Sequence, residues 1–187
     1  KNIARGVDSY WLSDPVQTAV SQRHSLMING GDGSLTYGIG GDYRKNNGAM
    51  KGSSRDTWGT RLNVDFRHKN FRASNMLYIN GYSAEESNYG SFSNWVNTNP
   101  YYEKAPSSQA YLAIVSTGYS SEAEYISNPL YLSAIGSFDR TKNYAITNNT
   151  KIRWDINSNW TLNGALQIYK DDTEHNVFIS PRHTQYR

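Results

Sequence analysis

Apolar and polar residues alternate with a period of two in several stretches of the chain. Between residues 58 and 66, the even positions carry Trp58, Thr60, Leu62, Val64 and Phe66, and the odd positions between them carry Gly59, Arg61, Asn63 and Asp65. Because successive side chains of a β-strand point to opposite faces, this segment has one apolar and one polar face. The same alternation recurs over 144–156 and 160–168, and more weakly over 24–28, 35–43 and 71–79.

The pattern predicts six strands of roughly ten residues each, a length that crosses a bilayer at a tilt. Their expected positions are about 20–30, 35–45, 57–67, 71–82, 142–156 and 160–170. Short connections rich in Gly and Asn alternate with long ones, which we place at about 46–56, 83–141 and 171–187. Short turns on one side and long loops on the other are typical of outer-membrane barrels. The sequence therefore predicts an all-β fold, a segment of an antiparallel up-and-down transmembrane β-barrel.

The alternation also predicts which side chains face lipid. Apolar positions should meet hydrocarbon and the positions between them should meet a wet lumen. We expect Leu62, Val64, Ile152 and Leu166 on the lipid side, and Arg61, Asn63, Arg153 and Gln167 on the lumen side.

Composition supports this class and excludes others. Hydrophobic residues make up only 37% of the chain, yet 13% of residues are aromatic, with 15 Tyr and 5 Trp. Disordered chains are poor in aromatic residues, whereas barrels use Tyr and Trp in their interfacial girdles. The net charge of +3 is spread along the chain, so no nucleic-acid partner is expected. Residues 1–10 lack the apolar centre of a signal peptide, so we expect that a leader was removed or lies upstream.

Residues that could carry catalysis or bind a metal are scattered. The chain has no cysteine, and its four histidines, at positions 24, 68, 175 and 183, lack metal-ligand spacing. Glu85-Glu86 and the pair Glu122 and Glu124 resemble paired catalytic carboxylates, but they are more simply solvated charges in a loop. We expect no enzyme activity, no cofactor and no metal.

Several stretches together resemble the SusC/RagA family of outer-membrane importers of Bacteroidota. They are Gly6–Leu12 with Pro15, Thr18–His24 running into Ile28–Gly31, Tyr37–Ile39, Gly48–Gly52, Tyr89–Ser93, Asn99–Tyr102, Asn128–Tyr131, Ser137–Asp139, and Phe178 with Ser180, Pro181, His183 and Thr184. The most specific match is Tyr89–Ser93 continuing to Asn99–Tyr102. The resemblance covers nearly the whole chain in the family's order and is weakest at about 104–126.

The resemblance implies the early barrel portion of a TonB-dependent transporter with 22 strands. It also implies an N-terminal plug, contact with the TonB complex through the plug-bearing part, and a SusD-like surface lipoprotein as a lid. Residues 1–187 contain no plug. Six strands cannot close a lipid-facing barrel, since single-chain barrels begin at eight and open edges leave backbone groups unsatisfied. We therefore expect these residues to belong to a longer protein in the outer membrane of a Gram-negative bacterium.

One aromatic cluster in the 83–141 loop is the candidate contact site for substrate or lid. Its members are Tyr89, Phe92, Trp95, Tyr101 and Tyr102. Aromatic rings stack on sugars and also bury well in partner interfaces. We favour a structural role, with Phe92, Trp95 and Tyr101 buried against barrel interior, plug or lid and with Tyr89 and Tyr102 nearer the ligand. A short helical turn is expected between Ser91 and Thr98, because Pro100 pushes Asn99 away from helical geometry.

The sequence thus favours import of an oligomeric nutrient, a glycan or a peptide. Two alternatives stay open at this stage. One is a passive small barrel or porin, and the other is a soluble carbohydrate-binding β-sandwich, which also alternates and also uses glycine turns.

Overall fold

A computed structural model describes residues 2–116 and 123–186. These described residues contain eight strands, which are β1 Ser21–Gly31, β2 Leu35–Asn47, β3 Ser54–His68, β4 Phe71–Glu85, β5 Tyr111–Ser116, β6 Ala123–Ser127, β7 Phe138–Asn157 and β8 Trp160–Phe178. Two short α-helices, α1 Phe92–Asn97 and α2 Pro129–Ala134, lie between β4 and β7. Short 3-10 helices cover Ile3–Arg5, Trp11–Ser13 and Thr184–Tyr186. No helix in the described residues is long and apolar enough to cross a membrane.

Six strands form one antiparallel sheet in the order β1-β2-β3-β4-β7-β8, and β5 pairs with β6 in a separate hairpin. Apart from the step from β4 to β7, every strand of the large sheet pairs with its sequence neighbour. The predicted fold class is confirmed: the chain is an all-β, up-and-down segment whose sheet is not closed on itself.

Strand register collects the apolar positions on one face. Across the middle of the sheet Ile39 pairs with Leu62, and Leu62 pairs with Leu77. Farther along the sheet, Ala73 pairs with Ile152. Since the side chains of directly paired residues share a face, Leu62, Val64, Ile152 and Leu166 lie together, and Arg61, Asn63, Arg153 and Gln167 lie on the other face.

Aromatic residues border the apolar face at both ends. One row contains Tyr43, Trp58 and Tyr144, with the rings of Trp58 and Tyr144 6.2 Å apart. At the other end Phe71 pairs with Trp154, and Phe66 lies on the same face one row closer to the centre. From Tyr144 to Trp154, at about 3.3 Å per residue and a tilt of about 40°, the apolar band is about 25 Å tall. That height and the two aromatic rows are features of a lipid-facing barrel wall.

The large sheet has no covering layer among the described residues. Its apolar side chains remain open, with Leu26 69%, Ile28 57%, Leu166 59% and Ile168 55% exposed. A soluble sandwich would bury such residues against a second sheet. The two-stranded β5-β6 hairpin does not provide one. This observation disfavours the sandwich.

A polar cluster interrupts the apolar face near its centre. The Asn75 amide donates to Asn148 Oδ1 at 3.2 Å and to Thr150 Oγ1 at 2.8 Å, and the Asn148 amide donates back to Asn75 Oδ1 at 3.2 Å. Buried polar groups are tolerated when they are hydrogen-bonded to one another. These hydrogen bonds connect β4 to β7 and give most polar atoms of the cluster a partner.

Tight turns close the end of the sheet opposite the loops. In the β1-β2 turn, Asp32 Oδ1 accepts from the backbone N–H of Ser34 at 2.7 Å and of Leu35 at 2.8 Å, and these bonds lower the pKa of Asp32. Gly31 has φ 131°, and a Cβ there would lie 2.1 Å from the Leu35 carbonyl oxygen, so only glycine fits. The β3-β4 turn places Lys69 at φ 53°.

Several predicted element bounds need correction. The segment 171–187 was expected to be a loop, but β8 continues to Phe178, and β7 already begins at Phe138. The predicted 46–56 loop shrinks to 48–53 because β2 and β3 extend into it. The predicted 83–141 loop is confined to 86–137, and it contains two strands and two helices. Outside the apolar band one strand face no longer has to be apolar, so the period of two that marked the strands disappears.

Candidate functional site

The long connections and the N-terminal segment gather at one end of the sheet. They comprise residues 2–20, 48–53, 86–116, 123–137 and 179–186, and we call them the loop layer. The tight turns 32–34, 69–70 and 158–159 lie at the opposite end. The two ends of the wall are therefore different, and the loop layer is the place for a binding site.

Trp95 is the centre of the loop layer. Helix α1 is capped by Ser91, whose hydroxyl accepts from the Ser93 N–H, and the helix directs Trp95 inward, where it is only 1% exposed. Its ring lies 6.3 Å from that of Trp11 and 5.7 Å from that of Tyr89. Trp95 Nε1 donates to the Tyr89 carbonyl at 2.7 Å.

The N-terminal segment is bound across this core by hydrogen bonds. Trp11 Nε1 donates to the Asn99 carbonyl at 3.2 Å, and the Ser9 N–H donates to the Pro100 carbonyl at 2.8 Å. Lys51 Nζ donates to the Asp14 carbonyl at 2.6 Å, next to the fully buried Pro15. Residues distant in sequence thus share one small core.

A second anchor is Asn128, which is fully buried. Its amide donates to the carbonyls of Pro106 at 3.0 Å and Gln109 at 2.8 Å, while its Oδ1 accepts from the Leu130 N–H at 3.1 Å as the cap of α2. Tyr131 on the same helix is buried and donates to the Arg182 carbonyl at 2.9 Å. Asn128 therefore fixes the 105–109 segment and the start of α2 at once.

An open cleft of about 660 Å³ lies within the loop layer. Four asparagine amides and four aromatic rings line it, together with hydroxyl and aliphatic side chains. The amides are Asn88, Asn94, Asn97 and Asn99, and the rings are Tyr89, Tyr102, Phe138 and Phe178. Phe138 and Phe178, from the outer ends of β7 and β8, stack at 5.5 Å and form one wall.

Charged groups are few in the cleft. Asp139 and His183 line it, and Asp139 also contacts His175 Nε2 at 2.7 Å. Asparagine amides both donate and accept hydrogen bonds, and aromatic faces stack on flat or ring-shaped groups. The cleft is suited to a neutral ligand rich in amide or hydroxyl groups. No group of three or more potential metal-binding side chains occurs in the part of the chain that is described.

The five aromatic residues singled out from the sequence occupy three kinds of position in the loop layer. Tyr89 and Tyr102 line the cleft, as expected for residues near a ligand. Trp95 is buried beneath it. Phe92 and Tyr101 are 49% and 45% exposed among the described residues, so their expected burial against barrel interior, plug or lid stays a prediction. Neither ring lines the cleft, because both occupy the outer surface of the loop layer.

Sequence reasoning missed the four asparagines and the pair Phe138 and Phe178. The density of Asn between positions 88 and 99 is visible in the sequence and indicates recognition by amides. The Phe138–Phe178 pair was not visible, because both residues were assigned to loops and their pairing depends on the register of β7 and β8.

Comparisons with known proteins address the fold. The structure is similar to that of the RagAB peptide transporter, with a TM-score of 0.64 and 16% sequence identity. The match covers 91% of this chain and 20% of that chain, so the present chain spans about a fifth of its length. No protein-family model matches, and the comparison with curated proteins gave no match. At this identity the likeness establishes a shared fold: the chain has the architecture of a barrel-like segment of that transporter.

Proposed function

We propose that the chain forms part of the barrel wall and outer mouth of an outer-membrane importer for an oligomeric nutrient. The observation that carries this proposal is the uncovered sheet with one apolar face, bordered by aromatic rows about 25 Å apart. Such a face is stable in contact with lipid but not with water. The fold shared with a segment of the RagAB peptide transporter supports a role in transport.

In this proposal the loop layer faces the outside and its cleft meets the nutrient. The amide and aromatic lining suits either a peptide backbone or a sugar ring. In the same proposal Phe92 and Tyr101 contact a SusD-like lipoprotein lid, which their exposure in the described chain supports. Energy from the TonB complex would enter through a plug formed by sequence outside residues 1–187.

Uptake by the full-length protein tests the proposal. Cells should take up a labelled oligopeptide or oligosaccharide, and uptake should stop when the proton-motive force is collapsed, because TonB coupling needs it. Uptake that is insensitive to an uncoupler would instead support a passive porin. Recovery of the protein in the aqueous phase after detergent phase partitioning would contradict the membrane assignment altogether.

Substitutions of two neighbouring tyrosines test whether the nutrient binds in the cleft. Tyr102 lines the cleft and Tyr101 does not. Tyr102→Ala should weaken nutrient binding by ~0.5–1.5 kcal/mol, the usual value of one aromatic contact, and Tyr101→Ala should leave nutrient affinity unchanged. Equal effects of the two substitutions on nutrient affinity would contradict the assignment of the cleft.

A further inference from the structure

Three arginines occupy one row across the polar face of the sheet. Arg67 on β3 pairs with Arg72 on β4, and Arg72 pairs with Arg153 on β7. Neighbouring strands lie about 4.8 Å apart, so the three Cα atoms span about 10 Å. Like charges placed directly opposite destabilise a strand pair. The row therefore carries an electrostatic cost that something else must offset.

The described residues neutralise the row only in part. Arg153 forms a 3.0 Å salt bridge with Asp155, and the charge of Arg72 also acts on Asp155. Within residues 2–116 and 123–186, the side chains of Arg67 and Arg72 make no hydrogen bond and no salt bridge. The next row adds Asp65 and Lys151. The cluster thus holds four cations and two carboxylates.

A groove of about 400 Å³ runs between these two rows. Arg67, Arg72 and Arg153 form one side, and Asp65, Ser74 and Lys151 form the other. Between the two rows lies a third row of paired residues, whose side chains point to the apolar face. The backbone of this third row therefore forms the floor of the groove. The groove lies near the 69–70 and 158–159 turns, at the far end of the sheet from the loop cleft.

We propose that this groove is a docking surface for an acidic polypeptide segment. The inference rests on the proposed function, in which the polar face is turned away from lipid. Guanidinium groups bind carboxylates through two parallel hydrogen bonds, which lysine cannot do. A small anion would reach one or two of the three arginines. Several Asp or Glu side chains on one backbone match the whole row.

Zero-length carbodiimide cross-linking tests the docking surface, because the Lys151 amine lies in the same groove. The coupling joins an amine to a carboxylate in direct contact with it. Outer membranes containing the full-length protein should yield an isopeptide bond from Lys151 to an Asp or Glu outside residues 1–187. Arg67→Gln with Arg72→Gln should lower its yield roughly tenfold, equivalent to about 1.4 kcal/mol of docking energy. Arg72→Gln alone should lower the cross-link yield by a smaller factor. This single variant replaces the double variant in the test if the double variant does not fold.

A matched control is available on the same face. Arg23 on β1 and Arg44 on β2 are also directly paired, at the other end of the sheet. Arg23→Gln with Arg44→Gln should leave the Lys151 cross-link unchanged. An equal loss in both double variants would mean a general charge effect and would overturn the proposal.

The remaining outcomes are also decisive. A Lys151 cross-link only to Asp65, or none at all, overturns the docking surface. Protection of Lys151 by inorganic phosphate without any polypeptide cross-link would assign the groove to a small anion and likewise overturn it. Detergent phase partitioning of the same samples tests the proposed membrane location separately from the docking surface. A folded membrane protein without the cross-link contradicts only the docking surface, and a water-soluble protein with the cross-link contradicts only the membrane role.

Discussion

The wall and the loop layer are stabilised by different means. The six-stranded wall is held by a continuous ladder of backbone pairs, and most of its side chains are exposed on both faces. The loop layer has little regular pairing and depends on a few buried side chains, chiefly Trp11, Trp95, Asn128 and Tyr131. The wall should therefore tolerate most single substitutions that respect its two faces. The loop layer should fail when one anchor is removed.

Trp95→Ala should have the largest effect. Removal of a buried tryptophan costs about 3–5 kcal/mol, and this one also loses its contacts with Trp11 and Tyr89 and its bond to the Tyr89 carbonyl. We expect rapid proteolysis in 86–137, with the barrel still folded by heat-modifiable electrophoresis. Phe92→Ala, on the same helix but half exposed, is the control and should leave protease resistance near that of the wild type. Loss of the barrel itself in Trp95→Ala would contradict the separation of the two regions.

Leu62→Arg tests the wall. Leu62 lies midway between Trp58 and Phe66, and an arginine on the lipid face near the bilayer centre costs ~2–4 kcal/mol. Asn63→Arg changes the neighbouring residue on the polar face and should cost much less. Urea titration of folding into lipid vesicles measures both. Equal costs at positions 62 and 63 would mean that the assignment of faces is wrong.

The same contrast explains how much the sequence predicted. Strands that lie within the apolar band were recognised, because one apolar and one polar face impose a period of two on Trp58–Phe66 and 144–156. The outer part of β8 was missed, since Asp172 and Glu174 lie in or beyond the outer aromatic row, where that constraint ends. Strands β5 and β6 were missed because each has only five or six residues.

The sequence also predicted only part of the candidate site, because some of its residues are defined by contacts between distant segments. Aromatic density pointed to Tyr89 and Tyr102, and both line the cleft. Burial of Pro15 and Asn128 could not be predicted, because it depends on contacts between segments far apart in sequence. Contact of the cleft residues with nutrient or lid stays a prediction.

Asn128→Ala should have an intermediate effect on the loop layer. The substitution removes the hydrogen bonds of a fully buried amide to the Pro106 and Gln109 carbonyls, at a cost of about 1–3 kcal/mol, and it also removes the cap of α2. Asn128→Asp keeps the cap but places a carboxylate against those carbonyls, so it should be worse than alanine. Ser91→Ala removes only the exposed cap of α1 and is the control. Protease resistance of 86–137 ranks the three, and an aspartate variant as resistant as the wild type would contradict the described contacts.

The smallest effect is expected at Asp32, in the β1-β2 turn at the end of the sheet opposite the loop layer. Two backbone N–H bonds favour the ionised carboxylate and lower its pKa in the folded chain. A lowered folded pKa means that the carboxylate stabilises the turn above the ordinary aspartate pKa of about 3.9, and that this contribution is lost as the pH falls through the lower, folded pKa. Asp32→Asn keeps an oxygen acceptor for the turn but cannot ionise. The wild type should therefore fold slightly better than Asp32→Asn near neutral pH, and the difference should vanish in acid. Urea titrations of both proteins at the two pH values measure it, with Asp8→Asn as a control at an aspartate that lies outside the turns. A difference between wild type and Asp32→Asn that persists or grows in acid would show that the charge of Asp32 is not what holds the turn.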